Sequence, residues 1–130
     1  MKLTKILMAG ILSVTVASAN DVLKNSMDTM QAGMEQVQYG FINNNAQVIK
    51  DGLAQIKKGN SMLSSSSIKA FLPKEKKHMA NTAINTSKRI AADATIIELN
   101  LDDKAYLKAA NGYSDMLNAC SRCHGLVRSW

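Results

Sequence analysis

Apolar residues recur along this chain at steps of three and four. Leu23, Met27, Met30, Met34, Val37 and Phe41 follow one another at spacings of 4, 3, 4, 3 and 4, which is the seam of a packed α-helix. Asn43-Asn44-Asn45 interrupts the seam as a polar turn and cap. A second helix is predicted beyond it, with Ile49, Leu53 and Ile56 on one face. Gly59 to Pro73, GNSMLSSSSIKAFLP, has no clear period and reads as a serine-rich connection, with Ser64 to Ser67 as a flexible loop. Pro73 suits the start of a third helix, whose inward face reads Ala80, Ala83, Ile84, Ile90, Ala91, Ala94 and Ile97. "NLDD" ends it and offers Asp102 as the cap of a fourth helix. That helix carries Tyr106, Ala109, Ala110, Tyr113, Leu117, Cys120, His124 and Val127 along one stripe. Alternating β-branched runs are lacking, so strands find no support. Four helices with mostly short connections predict an all-α fold, a four-helix up-down-up-down bundle.

The first residues belong to a different pattern. Met1 to Ala19, MKLTKILMAGILSVTVASA, has a lysine-bearing start, an apolar run from Ile6 to Val16, and Ala17-Ser18-Ala19 as a small-x-small cleavage site. This is the pattern of a secretory signal peptide, and the apolar run is too short to span a bilayer. The expected mature chain is Asn20 to Trp130, a single domain without a membrane span, exported to the periplasm. The 16 Lys and Arg against 10 Asp and Glu give a formal charge of +6, of which two lysines leave with the signal. So mild an excess does not argue for nucleic acid. It suits a soluble surface, or a positive face that steers docking to an acidic partner.

The chemistry collects at the other end. The only two cysteines lie in "CSRCH", Cys120 to His124, beside one of the two histidines. On a helix, residues three and four apart share a face. Two thiols one turn apart can each add to a vinyl group of one haem, and the adjoining imidazole can then bind the iron. C-x-x-C-H is the attachment signal for c-type haem. Other readings of the pair are weaker. A thioredoxin-like redox pair belongs at a helix start near a βαβ unit. A zinc site needs about four ligands, and only His78 and carboxylates remain to complete one. A disulfide across three residues of a helix has poor geometry.

With its C-x-x-C-H in the last helix, Arg128 four residues past the histidine, and a Met-rich first helix, the chain resembles the class II c-type cytochromes, the cytochrome c′ family. The resemblance spans nearly the whole mature chain. It departs from the family in the short NNN turn and in Val127, where an aromatic is usual. The resemblance implies a four-helix bundle with one covalently attached haem c near the C-terminus. Cys120 and Cys123 would anchor the haem, His124 would be the proximal iron ligand, and Arg128 would approach a propionate. The iron's sixth position divides the family. A low-spin branch fills it with methionine and carries electrons; a high-spin branch leaves it open and binds nitric oxide or carbon monoxide. Met27 stands where the family places the methionine ligand. Met30 and His78 are alternatives, and methionines on a helical stripe are usually core filler. His78 itself suits a surface position among lysines.

The expected function is that of a monohaem c-type cytochrome carrying single electrons between periplasmic redox partners, with gas binding at an open sixth site as the other reading. No second constellation of acids, bases or nucleophiles supports an enzyme. Lys74, Lys76 and Lys77 would meet propionates, a partner's acids, or solvent. Tyr113 and Leu117 would pack the porphyrin or the core, and Gly125 would leave room beside His124 or weaken the helix end. Dimerisation is common in the family.

Overall fold

The structure, a computed structural model, describes residues 19–128. The export signal expected over Met1–Ala19 lies outside them, apart from Ala19 itself, the first residue of the first helix. The described chain is all-α. It contains α1 (Ala19–Ile42), α2 (Ala46–Ser61), α3 (Ser65–Phe71), α4 (Ala80–Asp102) and α5 (Tyr106–Val127), with a 3₁₀ helix over Lys74–Met79 between α3 and α4. No helix among the described residues is long and apolar enough to cross a membrane.

α1 and α2 form an antiparallel hairpin of unusual closeness. Asn44 turns the chain in the left-handed region at φ 52°, which asparagine tolerates better than most residues. Asn45 then caps α2, its side-chain oxygen accepting from the Val48 N–H. Along the interface glycines alternate with close-packed branched side chains such as Val37, Ile49 and Ile56. A Cβ added to Gly52 would lie 2.7 Å from the Gly33 carbonyl oxygen and 2.8 Å from the Val37 nitrogen. A Cβ on Gly33 would meet the Gly52 oxygen at 2.6 Å, and one on Gly59 the Ser26 oxygen at 2.8 Å. The helices touch backbone to backbone, so only glycine fits. Ser26 occupies the same row seven residues before Gly33, fully buried, and donates its hydroxyl to the Gly59 carbonyl at 2.8 Å.

α4 runs antiparallel to α2 and locks to it at several levels. Lys50 pairs with Asp102 and Lys57 with Glu98. Nearer the other end, Asn60 donates to the Ser87 carbonyl at 3.0 Å while the Ser87 hydroxyl donates to the Asn60 side-chain oxygen at 2.9 Å. Both residues are buried, so the reciprocal pair satisfies groups whose isolation would cost about 1–3 kcal/mol each. α4 and α5 form a second hairpin through Lys104, at φ 57°, with the Ala105 N–H donating to the Asn100 carbonyl. Val37, Leu53, Ile56, Ile97 and Met116 make the solvent-free centre between the hairpins.

The structure corrects several expectations. The connection after Gly59 is not one loop: α2 runs on to Ser61, and Ser64 caps α3 by accepting from the Ser67 N–H. α3 buries Ile68, and with Leu72, Ala80 and Ala83 this makes a second small core. The helix expected directly after Pro73 opens as the 3₁₀ turn and becomes α only at Ala80. Asp102 caps nothing; it is the last residue of α4, drawn to Lys50, and α5 begins at Tyr106 after Ala105. The buried row of α5 is Ala109, Met116 and Ala119, whereas Tyr106 and Leu117 are about half exposed, at 54% and 49%. The inward face is thus rotated by about one residue from the predicted stripe.

Candidate functional site

α1 and α5 meet at one end through the rings of Phe41 and Tyr113, 5.9 Å apart. Toward the other end a groove opens between them. It holds two adjoining cavities, of about 340 and 320 Å³, that share Met27, Leu63, Ile68, Cys123, His124 and Arg128 among their lining residues. In the second cavity the α1 wall is Met27, Met30 and Met34 with Gln31, Glu35 and Gln38 beside them, and the α5 wall runs through Tyr113, Leu117, Cys120, Cys123 and His124. Asn60, Leu63, Ile68 and Ile90 lie between. The first cavity extends past Leu23 and Lys24 to Phe71 and Val127.

The helical spacing of CSRCH explains the α5 wall. Cys120, Cys123 and His124 fall on adjacent turns of one side, and all three are half-buried. Neither thiol is in a disulfide. Burial pushes the Cys120 thiol up to about 11, helped by Cys123 and Asp93, and pushes Cys123 up as well. Both are therefore neutral thiols at physiological pH. His124 is held below its ordinary range, first by burial and then by the positive Arg128 nearby. It is a neutral imidazole, the form with a lone pair free to bind a metal. Arg128 itself lines both cavities at their rim.

The other predicted residues divide. Met27 and Met30 face the cavity across from α5; Met30 is buried and Met27 half-buried. His78 is exposed on the 3₁₀ helix and lines neither cavity. Tyr113 and Leu117 line the second cavity. Gly125 has open space where a Cβ would stand. Of the three lysines, Lys76 donates to the Gly125 carbonyl at 2.7 Å, and Lys77 donates to the Lys69 and Ala70 carbonyls at the end of α3. Both cap helix ends in the sense the helix dipole favours.

Periodicity did not find Leu63, Ile68 and Phe71, because they belong to the segment read as a loop. Two local signals mark that segment as helical: Ser64 three residues before Ser67, and the four-residue step from Ile68 to Leu72. Among the described residues no group of three or more His, Cys, Asp or Glu is placed to hold a bare metal ion. What the groove does assemble is two protonated thiols, one neutral imidazole, a facing set of thioethers and apolar walls. That donor set suits a flat apolar group carrying its own metal. Comparison of the chain with protein-family models, curated proteins and solved structures found no match.

Proposed function

We propose that this protein is a monohaem c-type cytochrome of the class II kind, exported to the periplasm, that passes single electrons between redox proteins. The observation that carries the reading is that Met27 and the C-x-x-C-H residues Cys123 and His124 line the same cavities from opposite helices, with Cys120 joining them in the second. On this reading the four long helices, alternating in direction, are an up-down-up-down bundle, and α3 with the 3₁₀ turn is an insertion that closes one end. When bound, the haem would supply a one-electron couple at its iron, tuned by axial ligands and surroundings.

The chain's own residues have separate tasks. Cys120 and Cys123 would hold the haem through thioethers; unpaired and protonated, both are free for that attachment. His124 and Met27 would each offer the iron a donor atom, the methionine a soft neutral ligand of the sort that raises the potential. Arg128, beside His124, would offer a guanidinium fork to a propionate. Met30, Leu63, Ile68 and Ile90 would give the haem an apolar bed within a groove whose edges carry polar side chains. No catalytic residues are assigned, because the function needs none.

A visible spectrum of the mature protein, reduced, with and without carbon monoxide, tests this. A low-spin spectrum unmoved by the gas supports the filled sixth position, and Met27→Ala should then turn it high-spin. A high-spin spectrum that shifts with carbon monoxide would make gas binding the function and return Met27 to the core. If Met27→Ala leaves a low-spin spectrum unchanged, Met30 takes its place as the assigned ligand.

A further inference from the structure

The charge of this molecule is sorted by end. The groove end comprises residues 19–30, 58–91 and 117–128. Its membership follows from the fold: Ser26 is bonded to Gly59, Asn60 to Ser87, and Lys76 to Gly125. This end carries ten lysines and arginines against three carboxylates. The remaining described residues, 31–57 and 92–116, carry four against seven. A chain whose overall excess is mild is thus strongly positive where the cavities open and negative at the opposite end. Pairing does not cancel the positive end. Among the described residues, of its ten cations only Lys24 and Arg89 are in ion pairs, and Arg89 reaches toward Asp93 of the other half. Lys58, Lys69, Lys74 and Lys88 are exposed.

We infer that the groove end is a docking surface for the acidic face of a partner protein, steered by this charge separation and centred on Lys69, Lys74 and Arg128. A dipolar protein turns as it approaches, so its positive end arrives first at a negative surface. The partner's carboxylates would then lie over Arg128 and the exposed lysines beside the cavities, since Lys24 at the rim is already paired with Asp28. An anionic membrane would draw the same charges but needs more. Surface helices that bind lipid combine basic residues with exposed aromatic or aliphatic wedges. Among the described residues most exposed large apolar side chains lie elsewhere: Tyr39, Ile42, Ile96, Leu99, Tyr106 and Leu107 all belong to the opposite end, and only Leu117, on the groove's flank, belongs to the groove end. Among the described residues the groove end sets its exposed charge beside a single exposed large apolar side chain, Leu117, which fits a polar protein face. That the partner is a redox protein rests on the haem reading; that it is acidic does not.

The experiment titrates a blocked deca-glutamate peptide into the ¹⁵N-labelled mature protein at low salt, with intact mass reporting haem attachment. Expected are shifts confined to the groove end, strongest around Lys69, Lys74 and the last turn of α5, and lost as salt screens them. Lys74→Glu should weaken binding at least threefold. Lys108→Glu, the same charge change at the opposite end, should alter it less than 1.5-fold. Absence of binding, shifts scattered over both ends, or equal effects of the two substitutions would overturn the proposal. Cosedimentation with phosphatidylglycerol vesicles at physiological salt would overturn the choice of a protein over a membrane. If the mass shows no haem while the peptide still maps to the groove end, the acidic docking face stands and the electron-transfer reading falls.

Discussion

α1 takes part in two interfaces built on opposite plans. Against α2 it presents Ser26, Gly33 and Gly40, and the two backbones touch with nothing between them. Against α5 it presents Met27, Met30 and Met34, and the helices stand apart around a groove. At its glycines the first contact is set by main-chain atoms, with the stiff branched side chains of Val37, Ile49 and Ile56 packed beside them, so little there can rearrange. The second is lined by thioethers, the most adaptable of apolar side chains, and by thiols. One helix thus serves as rigid scaffold on one face and as pliable cavity wall on the next. The contrast separates a face that fixes the position of α1 from a face that leaves a groove beside it.

The largest test breaks the closed side. Gly52→Leu should destabilise the fold by about 3 kcal/mol or more, because its side chain would meet backbone rather than movable atoms. Urea unfolding followed by circular dichroism measures it, and a loss under 1 kcal/mol would mean that the hairpin relaxes easily. Next comes the polar lock between α2 and α4. Asn60→Ala removes the acceptor of the buried Ser87 hydroxyl, while the Ser87 carbonyl keeps its place in the α4 ladder, and should cost about 1–2 kcal/mol, read from the same unfolding curves. Retention of full stability would show that water replaces the amide.

The open side is sharpened by pH. Cys120 in the folded haem-free chain titrates near 11, above its unfolded value. A thiol raised by folding favours the folded state fully below its unfolded pKa. That contribution disappears as pH rises through about 9 to 11 and amounts to on the order of 2 kcal/mol. Haem-free protein should therefore lose stability over that window, and Cys120→Ser should flatten the loss. Protein whose sulfurs are tied up as thioethers should not show it, since a thioether has no proton to lose. A slope of equal size in both forms would place the alkaline loss elsewhere. The smallest effect contrasts two glycines. Gly125→Ala meets no atom within 4 Å and should be neutral or stabilise the helix by up to about 1 kcal/mol, measured by thermal melting. Destabilisation there in the haem-loaded protein alone would mean that the bound group occupies that space.

The long helices were legible because their seams run for several turns without a break: Leu23 to Phe41 needs no tertiary information to be read as amphipathic. α3 was not, since seven residues hold less than two turns of period and its serines suggest a loop until Ser64 is seen to cap it. The face of α5 was misread for a related reason. Tyr106 and Leu117 are large and apolar, yet α4 reaches only the row through Ala109 and Met116, where Gly112 lets Ile97 approach. Which of two apolar rows is buried depends on the neighbour, not on the helix itself. That Cys120, Cys123 and His124 share one side of a helix was readable from their spacing, but the floor of the groove beside them was not, because Leu63 and Ile68 come from the segment without a period. The glycines were visible and went unused. Gly33 and Gly40, then Gly52 and Gly59, stand seven apart, and that recurrence announces a close helical pair.

That recurrence also poses a problem of alignment. Small residues repeat every seven positions along α1, and so do Met27 and Met34. Sliding α1 by one heptad against α2 would leave glycine facing backbone and would bring Met34 to the level of His124. Two alignments are therefore nearly degenerate as far as the seam can tell. The three residues Asn43 to Asn45 remove the degeneracy, because a turn this short leaves no slack for a displacement of about 10 Å. The turn at one end of the molecule thus acts as the zero mark of a ruler whose reading, at the other end, is the methionine that faces the histidine.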